Sequence, residues 1–169
     1  GAWVTLDGEP WLEDRVGEVT LRLSPLAFFQ VNRFLIDALV ESSIGGAEGG
    51  GTAIDLYSGV GLFSLPLAKR FRKVIAVEAV TSASADLVHN AERHGCRNIA
   101  TTRSRTEEFL LGFDQPTPDF VLADPPRAGL GKEAVTELIR IAPPRLHIVS
   151  CDPPTLARDL QQLIAGGYR

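Results

Sequence analysis

Methionine is absent from this chain, and cysteine occurs only twice, at Cys96 and Cys151. Two cysteines cannot build a disulfide framework or a closed zinc site, so neither staple is expected to hold the fold. A reduced, cytosolic setting fits that usage. The missing methionine, initiator included, predicts a piece excised or processed from a longer chain. No apolar run approaches the ~20 residues that cross a bilayer. The opening Gly1-Ala2-Trp3 has neither the basic nor the apolar region of a signal peptide. An excess of positive charge is missing too, with 17 Lys and Arg against 21 Asp and Glu. The formal net charge of −4 offers no general attraction to nucleic acid or anionic membranes.

What remains is ordinary globular material, 169 residues with 44% hydrophobic and 22% charged, enough for one domain with a core of its own. Residues 3–23 hold short apolar runs broken by Asp7-Gly8 and Gly17, which predicts a small β-meander. Ser24-Pro25 then introduces a predicted helix whose apolar face is Val31, Phe34, Leu35, Ala38 and Leu39. A glycine-rich connector runs from Ile44 to Gly51. Beyond it, strands are expected at Thr52–Tyr57, Lys73–Glu78, Ile99–Thr102, Phe120–Ala123 and Leu146–Cys151. Helices are expected through Lys69, over Ser84–His94, around Glu107–Leu111, over Lys132–Ile141, and after Cys151. This alternation predicts an α/β fold, a Rossmann-like doubly wound and mostly parallel sheet. We expect a β-rich N-terminal segment at 1–23 and a single core at 24–169.

The stretch Ser150-Cys151-Asp152-Pro153-Pro154-Thr155 carries the most chemistry. It follows the apolar run Leu146 to Val149 and precedes a helical pattern of Leu156, Leu160, Leu163 and Ile164. Asp152 is a natural cap and Pro153 a natural first helical residue. Cys151 is thus expected at a strand's carboxyl end, just ahead of a helix N-terminus. Parallel sheets bind ligands there, and a positive helix end favours a thiolate nucleophile. The plain alternative is a small buried hydrophobe. No histidine is placed to activate the thiol, because His147 lies four residues back, about 13 Å along an extended strand. Cys96, in His94-Gly95-Cys96-Arg97, reads as a loop residue without a role.

The first strand leads into Asp55-Leu56-Tyr57-Ser58-Gly59-Val60-Gly61, where two glycines permit a tight turn and close approach of a ligand. A dinucleotide fingerprint would want a third glycine, yet position 64 is Ser64. Glu78 ends the next strand, nineteen positions after Gly59, where a carboxylate can accept both ribose hydroxyls. A glycine turn, a second-strand carboxylate and no pyrophosphate grip suit S-adenosylmethionine better than NAD. The fourth strand runs into Asp124-Pro125-Pro126-Arg127-Ala128-Gly129-Leu130. In a doubly wound sheet it neighbours the first, so Asp124 should face the Gly59–Gly61 turn. Amino-methyltransferases with a related motif carry an aromatic residue after the prolines; Arg127 speaks against amino methylation.

Four segments taken together resemble the RNA uracil-5-methyltransferase family of S-adenosylmethionine enzymes. They are Phe29-Gln30-Val31-Asn32, the Asp55 to Pro66 stretch, Asp124 to Leu130, and Ser150 to Leu160. The resemblance implies methylation at C5 of a uridine in tRNA or ribosomal RNA, with S-adenosylmethionine as cofactor and RNA as partner. It places the nucleophile on Cys151 and cofactor contacts on Gln30, Tyr57, Glu78 and Asp124. Asp55, Gly59 and Gly61 join that set through the turn, and Arg127 is a candidate for positioning substrate. Gln30 is expected on the first helix.

Departures from the family are specific. Asp152 stands where Asn is usual, and a carboxylate beside a thiol opposes the thiolate. Ser58 replaces a common cysteine, and Arg105 occupies a place for a polar or acidic adenine contact. The family's general-base glutamate, its last sheet strands, its RNA-binding barrel and any iron–sulfur cysteine cluster have no counterpart in these residues. The fragment is therefore expected to form an adduct without completing turnover, and to dimerise or aggregate through an exposed edge strand. Two other readings compete. One is a methyltransferase acting on another RNA position or a small molecule, independent of Cys151. The other is a cofactor-binding module without catalysis.

Overall fold

The computed structural model describes residues 9–25, 27–30 and 32–169. The Asp7-Gly8 part of the expected meander and Val31 lie outside the described residues. In chain order the elements are β1 (Leu12–Val16), β2 (Val19–Leu23), α1 (Ile36–Ile44), β3 (Gly50–Leu56), α2 (Ser64–Ala68), β4 (Phe71–Val77) and α3 (Thr81–Arg93). Then follow β5 (Ile99–Thr102), α4 (Thr106–Leu111), β6 (Phe120–Ala123), α5 (Gly131–Ile141), β7 (Leu146–Ile148) and α6 (Pro153–Ala165).

Strands β3 to β7 form one all-parallel sheet in the order β5-β4-β3-β6-β7. Chain order reverses between β3 and β6, which puts the switch point at their carboxyl ends. The strands are apolar on both faces, as burial on both sides demands. Ala53, Val74, Phe120 and Leu122 pack with Ile36, Ile44 and the Leu62–Leu67 region on one side. Ile54, Leu56, Ile75, Val77, Val121 and Ala123 pack with Leu110, Val135, Leu138 and Leu163 on the other. The doubly wound expectation is met, with the fourth strand of the sheet beside the first.

β1 and β2 form an antiparallel hairpin apart from that sheet. Among the described residues, the side of β2 away from β1 meets α3 side chains. Asn90 Oδ1 accepts the Arg22 N–H at 2.8 Å, and Asn90 Nδ2 donates to Arg22 O at 3.2 Å. Fully buried Asp86 accepts Arg22 Nε at 2.7 Å and the Ser24 N–H at 2.6 Å. Val16 and Leu21 of the hairpin join the core on the α1 side of the sheet.

Two expectations are corrected. The strand expected to run to Cys151 ends at Ile148. Its neighbour β6 stops at Ala123 before Pro125 and Pro126, which have no N–H to offer, so the last ladder bond is Val149 N–H to Ala123 O at 2.9 Å. Gln30 is not on a helix. α1 begins only at Ile36, and Phe34 and Leu35, expected on its buried face, are 98% and 58% exposed.

Candidate functional site

The residues expected to act gather at the carboxyl ends of β3, β4, β6 and β7. Asp55 is the penultimate residue of β3 and is fully buried. Beyond it the chain turns sharply, with Tyr57 at φ 59, Gly59 at φ 53 and Gly61 at φ 99. Left-handed backbone is uncommon for a tyrosine and marks a site where surrounding structure holds the strain. At Gly61 a Cβ would come within 2.7 Å of Leu65 Cδ1, so glycine permits close packing of the turn on α2. Gly59 faces open space, and a Cβ there would meet nothing within 4 Å.

Glu78 follows β4 directly and braces this turn. Its Oε2 accepts the Gly59 N–H at 2.8 Å and its Oε1 accepts the Val80 N–H at 2.7 Å. Each oxygen retains a lone pair for a further donor. From α3, Asn90 Nδ2 donates to Val60 O at 3.0 Å. Asp124 follows β6, and its N–H reaches Leu56 O at 3.3 Å, beside the same turn. Gln30, in the loop before α1, donates from Nε2 to Asp124 Oδ2 at 3.0 Å. A long-range contact therefore brings Gln30 to the site without the helix.

The electrostatics are one-sided. Burial pushes the Asp55 carboxyl up to about 7, with the Ser64 hydrogen bond opposing and the negative charges of Asp124 and Glu78 adding to the rise. Burial likewise raises Asp124 to about 6, against the hydrogen bond from Gln30. Burial also raises the Tyr57 hydroxyl, while a hydrogen bond with Thr106 lowers it. Ser64, standing where a dinucleotide site has its third glycine, donates its hydroxyl to Asp55 Oδ2 at 2.5 Å. Asp55 Oδ1 and Ser58 Oγ are buried without a partner among the described residues. Among the described residues, no Lys, Arg or His pairs with Asp55, Glu78 or Asp124. Three carboxylates around an open glycine turn, lacking any cation of their own, fit a ligand that carries positive charge and hydroxyl donors.

Cys151 is exposed and lies three residues past β7, immediately before the cap of α6. Asp152 caps that helix as expected. Its Oδ2 accepts the Thr155 N–H at 3.0 Å and the Thr155 hydroxyl at 2.5 Å. Those bonds, with Arg127 and Arg158 nearby, hold the Asp152 carboxyl below its usual range. Its Oδ2 is thus committed to the cap of α6. Arg127 is exposed in the loop after Asp124. His147 Nδ1 lies 2.6 Å from Ser43 O, turned toward α1 and away from Cys151. Arg105 pairs with Glu107 at 3.5 Å. Burial raises the half-buried Cys96 thiol, and it lies in the α3–β5 connection as expected.

Sequence reasoning missed Ser64 and Asn90 as supports of the turn. The signal for Asn90 was present: Asp86 and Asn90 share the buried face of α3 with Ala83, Leu87 and Ala91. Polar residues at core spacing require partners. Two cavities among the described residues lie elsewhere. One of about 360 Å³ is lined by residues such as Val19, Val40 and Pro66, and one of about 480 Å³ by residues such as Leu111 and Thr136. Among the described residues no cluster of His, Cys, Asp or Glu could hold a metal ion, and no helix is long and apolar enough to cross a membrane.

Comparison with known proteins bears on this arrangement. The chain is 36% identical to an uncharacterized RNA methyltransferase of Caldanaerobacter subterraneus, over 98% of the chain and 38% of the relative. It is 35% identical to another from Oceanobacillus iheyensis, over 95% of the chain and 36% of that protein. The chain thus spans little more than a third of the curated relatives it matches. Among solved structures, the Pyrococcus abyssi tRNA (uracil-54, C5)-methyltransferase in complex with S-adenosyl-L-homocysteine superposes with a TM-score of 0.81. That likeness is at 31% identity, covering 92% of this chain and 38% of the other. The sequence profile described as tRNA (Uracil-5-)-methyltransferase matches residues 15–167, and the chain belongs to that family.

Proposed function

We propose that this chain is the part of an RNA methyltransferase that binds S-adenosylmethionine and carries the nucleophile for methylation of uridine at C5. The observation that carries the reading is that Asp55, Glu78 and Asp124, unpaired with cations among the described residues, and an exposed thiol ahead of a capped helix all lie at the carboxyl ends of the sheet's strands. S-adenosylmethionine supplies a methyl group on a sulfonium, and its ammonium adds a second positive charge.

Gln30 and Asp124 take the cationic methionine end, and Glu78 takes the ribose hydroxyls. Asp55 and Tyr57 hold the Gly59–Gly61 turn in shape. C5 of uracil alone is a weak nucleophile. The Cys151 thiolate adds to C6, and the C5–C6 π electrons move onto C5 and its conjugated carbonyl. C5 then forms its bond to the incoming methyl group as the methyl–sulfur bond breaks. Loss of the C5 proton to a base returns electrons to the ring, and the C6–sulfur bond breaks to release Cys151. We assign no residue of this chain to that base. Exposed Arg127 is suited to a phosphate or a polar base edge.

The test is methylation of unmodified tRNA and ribosomal RNA by the full-length protein, followed by nucleoside analysis. The reading requires 5-methyluridine from the wild type and none from Cys151→Ser. Methylation at another position, or of C5 without Cys151, would replace it with the competing methyltransferase reading.

A further inference from the structure

Gly129 and Asp159 have no part in the site described so far, and together with Arg158 they join its two loops. Asp159 is 1% exposed, on the second turn of α6. Its Oδ2 accepts the Leu130 N–H at 2.8 Å. Its Oδ1 accepts Arg158 Nη2 at 2.8 Å and Nε at 3.1 Å. The same Arg158 Nη2 donates to Ala128 O at 2.8 Å. Ala128 and Leu130 belong to the loop that opens with Asp124 and carries Arg127; α6 begins two residues after Cys151.

Gly129 lies between those two anchor points, at φ 80. A Cβ there would run into Asp159 Oδ2, Thr155 Cγ2 and Arg158 Nη2. The Gly129 N–H closes the turn on Pro126 O at 2.8 Å. Loop and helix therefore approach as closely as backbone allows, and a buried carboxylate holds them there. A buried charge that served packing alone would be a costly choice, because a neutral residue fills the same space without desolvation.

We propose that Asp159 is a positioning residue, which with Arg158 locks the 124–130 loop onto the first turns of α6 and so fixes Arg127 relative to Cys151. The proposal rests on the reading of Cys151 as nucleophile. Arg127 and Arg158 both lie near Asp152, the residue next to Cys151.

The test compares Asp159→Ala, Asp159→Asn and Arg158→Gln with wild type in the full-length protein. Arg158 is half exposed, so its variant keeps the fold if Asp159→Ala does not. Three readouts are taken: alkylation of Cys151 and Cys96 by iodoacetamide, cofactor affinity, and kcat against KM on uridine RNA. The clamp predicts a fall in kcat of about ten- to hundredfold, as a misplacement near 1 Å produces. It also predicts slower alkylation of Cys151, unchanged alkylation of half-buried Cys96, unchanged cofactor affinity, and partial recovery in Asp159→Asn, which keeps an acceptor for Leu130. Unchanged Cys151 alkylation in Asp159→Ala and Arg158→Gln would overturn it. So would parallel changes at Cys96 and in cofactor affinity, which mark a structural role alone. If the wild type shows no activity on RNA, the reading of function fails, while the alkylation comparison still decides the clamp.

Discussion

The Gly59 N–H donates to Glu78 Oε2 at 2.8 Å, so the carboxylate that follows one strand holds the glycine turn that follows its neighbour. Glu78 therefore has two tasks: it shapes the turn and offers its remaining lone pairs to a ligand. Glu78→Ala removes both. We expect a loss in S-adenosylmethionine affinity of roughly 10- to 100-fold, the scale of charge-assisted hydrogen bonds. Glu78→Gln, which keeps one acceptor, should lose less. Calorimetric titration checks the order, and equal affinity in Glu78→Ala and wild type would contradict the assignment.

Asp55 makes stability and ligand binding depend on pH. Its carboxyl is raised from an ordinary 3.8 to about 7 in the folded protein, so the folded state holds a proton that the unfolded chain has released. Between those values the native state binds more protons, and stability falls as pH rises. Asp124, raised to about 6, acts in the same direction over a narrower window. Asp55→Asn should be increasingly more stable than wild type from pH 4 to pH 7, as measured by urea denaturation. A cationic ligand favours the ionised carboxylates, so S-adenosylmethionine should bind more tightly as pH rises through 6 to 7. S-adenosylhomocysteine, without the sulfonium, should respond less.

Asn90 ties the hairpin to the glycine turn, with hydrogen bonds to both backbone groups of Arg22 and to Val60 O. Asn90→Ala strands these groups in a buried place. We expect a stability loss of about 3 kcal/mol by denaturant unfolding, given the cost of unsatisfied buried groups. Cofactor affinity should weaken as well, because Val60 lies between the two glycines. Leu138→Ala on α5, buried in the core on the other face of the sheet, serves as control: it should lose stability by leaving a cavity while keeping affinity for S-adenosylmethionine.

Much of this arrangement was legible in the sequence. Short apolar runs alternating with helical patterns located all five strands of the sheet, and β5 and β6 match in both bounds. The capped start of α6 followed from Asp152-Pro153 ahead of the Leu156, Leu160, Leu163 and Ile164 pattern. What escaped the sequence depends on partners distant in the chain. The apolar spacing through Val31, Phe34 and Leu35 read as a helix, but Phe34 and Leu35 are exposed and Gln30 is drawn 94 positions along the chain to Asp124. The end of β7 depended on where β6 stops, which no local pattern around Cys151 contains. Ser64 looked like a missing glycine, yet its hydroxyl is the one hydrogen-bond partner that the Asp55 side chain has among the described residues.

Among the described residues β7 pairs with β6 alone, leaving its outer edge free. Unpaired edges recruit other strands. This chain should self-associate as its concentration rises, read by light scattering. A strictly monomeric species at high concentration would contradict that expectation.

The central claim, that Cys151 attacks C6 of a uridine so that C5 can accept a methyl group, is tested most directly with RNA containing 5-fluorouridine. Fluorine at C5 cannot leave as a proton, so the adduct cannot resolve after methyl transfer. The full-length protein, S-adenosylmethionine and this RNA should give a complex that survives denaturation, carries the transferred methyl group, and is joined through Cys151. Cys151→Ser should give none. Absence of the complex from a wild-type protein that methylates ordinary RNA, or its persistence in Cys151→Ser, would contradict the account.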